Sequence, residues 1–129
     1  MQTDNQNTKV WVGFITYGES TAPYLPYFLQ SLERQTYQNL SIVCFDNSEE
    51  VHNENSAILE AHPHIQVYGD TSNIGFSRAY NILLSKARTA GANYFFVVNP
   101  DTVLEPDVID QLVVSLETNP HCGSVSPKL

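Results

Sequence analysis

The segment YFFVVNPD, residues 94–101, decides the fold of this chain of 129 residues. Its five apolar residues are followed at once by a polar tip, in which Pro100 stops the run. An uninterrupted apolar run rich in aromatic and β-branched residues predicts a strand covered on both faces. Asp101 then lies at the carboxyl end of that strand, where ligands bind in open α/β sheets, and its carboxylate suits a divalent cation holding a diphosphate. Asn-Pro-Asp is equally good turn chemistry, and both interpretations stand.

Apolar runs and amphipathic helical patterns alternate along the rest of the chain. Strands are predicted at 10–16, 40–45, 65–68 and 94–98, with a further strand beginning at 124–126. Helices are predicted at about 25–35, at 55–61, from 76 to a C′ position at Gly91, and from Pro106 to 116, with a loop after residue 16. This alternation predicts an α/β domain with a mostly parallel sheet and helices on both of its faces.

Composition narrows the choice of partners and compartment. Six basic and fourteen acidic residues give a net charge of −8, and no basic cluster interrupts it, so nucleic acid is not an expected partner. Cys44 and Cys122 form no CxxC pair and no secretory segment precedes them, which favours a reducing, cytoplasmic compartment. Residues 1–9 are polar and are expected to be a flexible N-terminus, and the longest apolar runs are strand-sized.

Polar residues follow three of the predicted strands directly. They are Thr16 and Tyr17 after the first strand, Asp46 and Asn47 after the second, and 99–101 after the strand at 94–98. Because parallel strands end at the same edge of a sheet, the sequence predicts that these three tips share one rim.

With these residues in place, the chain resembles the nucleotide-sugar-binding half of family 2 glycosyltransferases, the inverting enzymes of the GT-A (Rossmann-like) fold, and is most similar to their rhamnosyltransferase-like branch. Four segments carry the resemblance: VWVGFITYGES at 10–20, SLERQTYQNLSIVCFDNS at 31–48, NIGFSRAYN at 73–81 and VVNPDT at 97–102. The last is a variant of the family's D-x-D motif, with Asn99 at the first position. The resemblance covers residues 10–129, which are expected to form one donor-binding domain.

The resemblance implies a role for each matching position. It implies nucleotide-sugar binding by Thr16 and Tyr17 at the base pocket and by Asp46, with Asn47, at a uracil or thymine ring or the ribose. It also implies that Gly75 and Arg78 lie near the nucleotide. Asn99 is implied at the ribose or phosphate side, and Asp101 completes the set. Asp101 is further implied to ligate the cofactor, Mg²⁺ or Mn²⁺, that bridges the diphosphate of a UDP- or dTDP-linked sugar.

Several of these residues also have simpler interpretations. Asp46 is suited to cap the segment that follows it, and Asn73 to form an Asx-turn before a helix. Gly75 is suited to tight helix entry, and Arg78 to pairing with Asp70. Tyr80 and Asn81 are interpreted as packing and helix-face residues.

His62 and His64 are the other side chains with obvious ligand chemistry. They flank Pro63 in a loop-like stretch, and from the sequence alone a metal site is not expected there.

The family pattern continues beyond Leu129 into an acceptor-binding half. The resemblance therefore implies a truncated enzyme whose general base lies beyond Leu129, with a glycan or lipid-linked acceptor in polysaccharide biosynthesis, in the cytoplasm or at the inner face of the membrane. Alone, the chain is expected to transfer no sugar.

The alternative is a non-catalytic GT-A-like binding or assembly module, and both interpretations allow self-association through the uncovered acceptor-side surface. A nucleotidyltransferase would need basic residues after the first strand, which residues 17–20 lack.

Overall fold

A computed structural model describes residues 7–128 of the chain as one parallel sheet with flanking helices. The strands are β1 (Val10–Thr16), β2 (Leu40–Asp46), β3 (Gln66–Tyr68) and β4 (Tyr94–Val97), in the order β3-β2-β1-β4. The helices are α1 (Gly18–Thr21), α2 (Leu25–Glu33), α3 (Glu54–Glu60), α4 (Phe76–Thr89) and α5 (Val108–Thr118). The predicted α/β class and the predicted parallel pairing are confirmed.

Side chains alternate between the two faces of the sheet along β1. Val12 and Phe14 belong to the cluster that α2, α3 and α5 cover, where Phe14 packs edge-on against Phe28 with ring centroids 5.0 Å apart. Trp11 faces the other side, in the cluster that contains Leu83 of α4. Helices therefore cover both faces of the sheet, as the sequence predicts.

Local sequence signals set the bounds of α4, the longest helix at 14 residues. It begins after Gly75 and ends at Thr89, and Gly91 follows with φ of 79°, which confirms its predicted C′ position. No helix within residues 7–128 is long and apolar enough to cross a membrane.

Thr8 and Lys9, which precede β1, are held at the amino edge of the sheet. The predicted flexible N-terminus falls largely on residues 1–6, which lie outside the described residues. Within the described part, the Lys9 amide donates to Asn93 Oδ1 at 2.8 Å, and Thr8 Oγ1 donates to Glu117 Oε1 at 3.1 Å.

The strand β4 is less covered than its apolar sequence predicts. It ends at Val97, and its residues are partly exposed, Val97 to 51%. It pairs with β1 on one side, and no strand of the described range pairs with its other side. The prediction of coverage on both faces is wrong here because an edge strand lacks a second neighbour whose side chains would shield its rings.

Three further elements differ from prediction, either in kind or by two residues at their start. The segment 124–126 forms no strand, and residues 123–125 instead line a cavity of about 240 Å³ together with residues of β4 and α5. The stretch predicted as a loop contains α1, whose four residues are too few to show a hydrophobic period. Helix α5 begins at Val108 rather than at Pro106.

Gly13, in the middle of β1, makes room for the ring of Phe95. A Cβ atom built at Gly13 would lie 2.4 Å from Phe95 Cζ, closer than non-bonded carbon atoms approach. The absence of a side chain at this position therefore lets the Phe95 ring pack across β1.

We expect Gly13→Ala to lower the free energy of unfolding by about 1–3 kcal/mol, because the ring must leave its packed position. Urea unfolding followed by circular dichroism measures the change. The matched control is Gly123→Ala, where an added Cβ meets nothing within 4 Å. Combining Gly13→Ala with Phe95→Leu should recover part of the loss, and equal effects at Gly13 and Gly123 would contradict the packing argument.

Candidate functional site

The strand ends meet at one rim, as the sequence predicts. Thr16 pairs with Asp46 at the ends of β1 and β2, and the Asn47 amide donates to the Thr16 carbonyl at 2.8 Å. On the other side of β1, the Val98 amide donates to the Gly13 carbonyl at 3.3 Å. Because all three strands run in parallel, the tips after residues 16, 46 and 98 emerge at the same edge of the sheet.

Asp46 is held by three hydrogen bonds. Its Oδ1 accepts from Thr16 Oγ1 at 3.0 Å and from the Ser48 amide at 3.1 Å, and its Oδ2 accepts from Asn53 Nδ2 at 2.9 Å. A carboxylate offers about four lone-pair sites, so about one site on Oδ2 remains for another donor. The bond to Ser48 is the local cap that the alternative interpretation of Asp46 requires, and the half-buried carboxylate still keeps acceptor capacity at the rim.

Asn47 ties the tip of β2 to the loop that precedes α4. Its Nδ2 donates to the Gly75 carbonyl at 3.3 Å, and its Oδ1 accepts from the Ile74 amide at 3.2 Å. Asn73 forms the predicted Asx-turn, since its Oδ1 accepts from the Gly75 amide at 3.0 Å. Asn47 itself is 4% exposed, so its amide acts mainly by holding residues 73–75 beside the rim.

Gly75 supplies the backbone geometry at the start of α4. Its φ of 88° is a conformation that side chains disfavour, and a Cβ built there would meet nothing within 4 Å. The surface at the amino end of α4 is therefore open, and backbone conformation rather than crowding calls for glycine at this position.

The turn after β1 is fixed by a buried amide. Asn55, fully buried, donates from Nδ2 to the Gly18 carbonyl at 2.9 Å and accepts from Thr21 Oγ1 at 2.7 Å. The Gly18 amide donates to Ser48 Oγ at 3.1 Å. These bonds connect α1 to α3 and to the tip of β2. Tyr17, which directly precedes α1, is therefore held in place by both connections.

Tyr17 is 39% exposed and its hydroxyl donates to Glu49 Oε1 at 2.8 Å. This hydrogen bond, together with the negative charge of Glu49, raises the pKa of Tyr17 above its usual value. The ring therefore stays a neutral hydrogen-bonding surface beside the rim at physiological pH.

Arg78, Asn99 and Asp101 are exposed at the rim. In the described part of the chain the Arg78 guanidinium forms no ion pair. The predicted alternative, a pair with Asp70, is not formed. Asp70 instead accepts from the amide and hydroxyl of Ser72, bonds that lower its pKa.

The oxygen atoms exposed at this edge are suitable ligands for a hard divalent cation. Asp101 and Asn99 offer a carboxylate and an amide oxygen that are open to solvent. Mg²⁺ and Mn²⁺ prefer oxygen ligands and typically take one or two carboxylates plus water and phosphate. Asp46 is less suited to direct ligation because most of its lone pairs are already used.

A cavity of about 210 Å³ lies beside Asp46. Its walls include Asp46, Ser48, Val51, Val67, Tyr68 and Thr71. Gly69 also lines the cavity. Its backbone packs closely against Asp46, since a Cβ there would lie 2.5 Å from the Asp46 carbonyl oxygen. The cavity thus combines apolar walls and an aromatic ring with two acidic residues, Asp46 and Glu50.

Sequence reasoning missed four residues that build this rim: Ser48, Glu49, Asn53 and Gly69. Asn53 had a readable signal, since it precedes a helical pattern and Ser56 completes a capping box with it. Glu49 and Gly69 had none, because their contacts with Tyr17 and Asp46 join distant parts of the chain.

Tyr80 is a packing residue, as predicted, and it also anchors the end of β4. Its side chain is 7% exposed and its hydroxyl donates to the Val98 carbonyl at 3.1 Å. Burial raises the pKa of Tyr80 to about 12. The bond fixes the backbone one residue before Asn99.

Sequence comparison gives one family match and several relatives. The model of "Glycosyl transferase family 2" matches residues 11–127. The N-acetylglucosaminyl-diphospho-decaprenol L-rhamnosyltransferase of Mycobacterium tuberculosis is 27% identical over 121 residues, which cover 88% of this chain and 38% of that protein. An uncharacterized glycosyltransferase of Haemophilus influenzae is 28% identical over 122 residues, with coverages of 92% and 36%. The chain thus spans less than half the length of these curated relatives.

Solved structures share the fold. The mannosyltransferase PcManGT from Pyrobaculum calidifontis, in complex with GDP-Man and Mn²⁺, is similar with a TM-score of 0.69 and 25% identity, over 84% of this chain and 32% of that one. S. aureus TarS in complex with UDP is similar with a TM-score of 0.73 over 94% of this chain and 38% of its own. Its 15% identity supports a likeness of fold alone.

We expect Tyr80→Phe to cost roughly 1–2 kcal/mol at neutral pH, because the Val98 carbonyl loses its donor. The pKa of Tyr80 is higher in the folded state than the ordinary value of 10.0, so its contribution is complete below about pH 10 and is lost as pH rises toward 12. The stability difference between wild type and Tyr80→Phe should therefore shrink over this range. Urea unfolding at several pH values measures it, with Tyr27→Phe as the control for loss of a hydroxyl from a side chain that is 66% exposed.

Proposed function

The chain belongs to glycosyl transferase family 2 and has the GT-A fold, and on that premise we propose that it is the donor-binding domain of an enzyme that transfers a sugar from a nucleotide diphosphate sugar to an acceptor hydroxyl with inversion. One observation carries the proposal: the ends of β1, β2 and β4 bring a carboxylate with spare acceptor capacity and an open second carboxylate to one rim. The general base that deprotonates the acceptor is proposed to lie in the part of the protein beyond residue 129.

The nucleobase is proposed to enter the cavity beside Asp46. The free lone pair on Asp46 Oδ2 suits a ring N–H, and uracil and thymine each offer such a donor. Thr16, Ser48 and Asn53 hold the carboxylate in place, so little rotational freedom is lost when the base binds. Tyr17 adds an exposed ring at the mouth of the site. UDP- and dTDP-linked sugars are therefore the proposed donors.

The diphosphate is proposed to lie against the amino end of α4. The first turn of a helix presents free amide N–H groups and a partial positive charge, both of which suit an anion. Asn47 holds this turn beside the rim, and Arg78, in the same turn, adds a full charge. That local charge is needed because the whole chain carries −8 and would otherwise repel the ligand.

Asp101, with Asn99 beside it, would hold Mg²⁺ or Mn²⁺. A cation bound there would neutralise the charge that develops on the leaving diphosphate. Asp101 itself would bind and orient the donor, and the bond from Tyr80 to Val98 keeps the tip that carries it in place. The Mn²⁺ in the structure of PcManGT, which shares the fold, supports a divalent ion at this site.

The acceptor is proposed to be a glycan or a lipid-linked sugar, which would put the whole protein in polysaccharide biosynthesis at the inner face of the membrane. The name of the M. tuberculosis relative, with its diphospho-decaprenol group, supports this extension. The two free cysteines agree with a cytoplasmic location.

A binding or assembly module without catalysis is the second candidate. It is favoured by exposed apolar side chains at the end of β4 and in the segment that follows it, Val97 at 51% and Val103 at 71%. Such a module would self-associate through this surface, and analytical ultracentrifugation would then show a dimer. In the enzyme, the acceptor half would cover it.

We expect the isolated chain to bind UDP or dTDP weakly with Mn²⁺ and to transfer no sugar. Asp101→Asn should weaken binding about tenfold or more in Mn²⁺ and leave binding in EDTA unchanged. Asp107→Asn is the matched control, since it removes the same charge far from the rim. Its neighbour Pro106 accepts a hydrogen bond from the Thr36 amide at the opposite edge of the sheet. Calorimetry with UDP, dTDP and GDP measures these affinities. Metal-independent binding that Asp101→Asn leaves intact would remove Asp101 from the site.

The role of Asp46 is best tested on the ligand, because substitution would disturb three hydrogen bonds. We expect N3-methyl-UDP to bind about tenfold or more weakly than UDP. The methyl group replaces the ring N–H from which Asp46 Oδ2 would accept a hydrogen bond. A ribose-modified analogue, 2′-deoxy-UDP, serves as the control for a contact elsewhere on the nucleotide. Equal affinity for UDP and N3-methyl-UDP would show that the base does not use Asp46.

A further inference from the structure

Three metal-ligating side chains meet on the edge of the sheet opposite the rim. Glu33, His62 and His64 each bring a ligand atom within 4.8 Å of the others, the one such group of three in the described residues. His62 Nδ1 lies 2.6 Å from Glu33 Oε1, and the two imidazole rings have centroids 6.0 Å apart. The sequence did not predict a site at His62 and His64, because the third side chain comes from a helix 29 residues earlier.

The position of this cluster follows from the topology. Glu33 is the last residue of α2, which returns from the rim to the edge where β2 begins. The two histidines lie in the turn between α3 and the start of β3, at the same edge. The Ile65 amide donates to the His62 carbonyl at 3.0 Å, which closes the turn and brings both imidazoles toward Glu33.

We propose that Glu33, His62 and His64 bind one divalent transition-metal ion of the zinc class, with water in the remaining position. Two imidazoles and one carboxylate are a typical set of three protein ligands for Zn²⁺. Ligand atoms about 2.0–2.2 Å from a tetrahedral ion lie roughly 3.3 Å apart, so the cluster needs only small side-chain rotations. Glu33 and His62 are 46% and 21% exposed, which leaves them room to rotate.

An ion pair alone accounts for less of this arrangement. An exposed pair between Glu33 and His62 is worth little in water, and it gives no role to the second imidazole. The cluster also differs in chemistry from the rim, where the open ligands are oxygens. Nitrogen ligands favour zinc, nickel and copper over Mg²⁺ and Mn²⁺, so the two edges select different ions.

The bound ion would join α2 to the turn after α3. It would stabilise the folded chain more as its concentration rises above the Kd, because the unfolded chain does not hold the three ligands together. It would take no part in sugar transfer, since the whole sheet separates it from the rim. The inference therefore stands on residues that the proposed function does not use.

The test uses the metal alone with the chain as it is. Calorimetry with ZnCl₂ should give one ion per chain with a Kd below about 100 μM, and saturating zinc should raise Tm. The Co²⁺ complex should show the visible absorption of a tetrahedral site. His64→Ala and Glu33→Gln should each weaken zinc binding about tenfold or more, while Tm without metal stays unchanged because both side chains are exposed.

His121→Ala is the matched control, an exposed histidine outside the cluster. It should bind zinc as the wild type does, and so should Asp101→Asn, which separates this site from the rim. Equal zinc affinity in His64→Ala and His121→Ala, or no binding below that Kd in the wild type, would overturn the proposal. Loss of zinc binding in Asp101→Asn alone would assign the ion to the rim and overturn it as well.

Discussion

The structure depends on the pairing of β1 with a parallel strand on each side. β1 is almost entirely buried and carries no charged residue, so the Thr16 hydroxyl at its end is its one polar side chain apart from the Trp11 indole N–H. What it contributes is register: Thr16 lies beside Asp46, and the Gly13 carbonyl accepts from the Val98 amide. Since parallel ladders bring all carboxyl ends to one edge, this pairing decides where every rim residue lies.

Asp46, the last residue of β2, and Asn47, which follows it, direct their side chains to opposite faces of the sheet. Asp46 continues the alternation of Cys44 and faces the side of α3, where Asn53 caps the helix and donates to the carboxylate. Asn47 points to the other side, where it holds the residues before α4. Two adjacent residues thus position two helices on opposite faces of the sheet, because successive side chains of a strand alternate.

Most of the fold could be predicted because its signals are local. The apolar runs of β1 and β2 and the periodicity of α4, ended by Gly91, are readable within a few residues of sequence. The rim could be predicted as well, since parallel topology alone brings strand ends together. Coverage of β4 and pairing at 124–126 could not be predicted, because they depend on a neighbouring strand that local patterns do not reveal. The partners of Tyr17 and His62 likewise come from distant segments.

Helix α3 connects the two edges of the molecule. Its N-cap, Asn53, donates to Asp46 at the rim, and the helix ends at Glu60, just before the turn that carries His62. At 1.5 Å per residue the helix spans only about 10 Å, and a helix this short has little stability of its own. Both ends must therefore be held by contacts outside it. At the rim end this is done by Asn53, which caps α3 and also gives Asp46 one of its three hydrogen bonds.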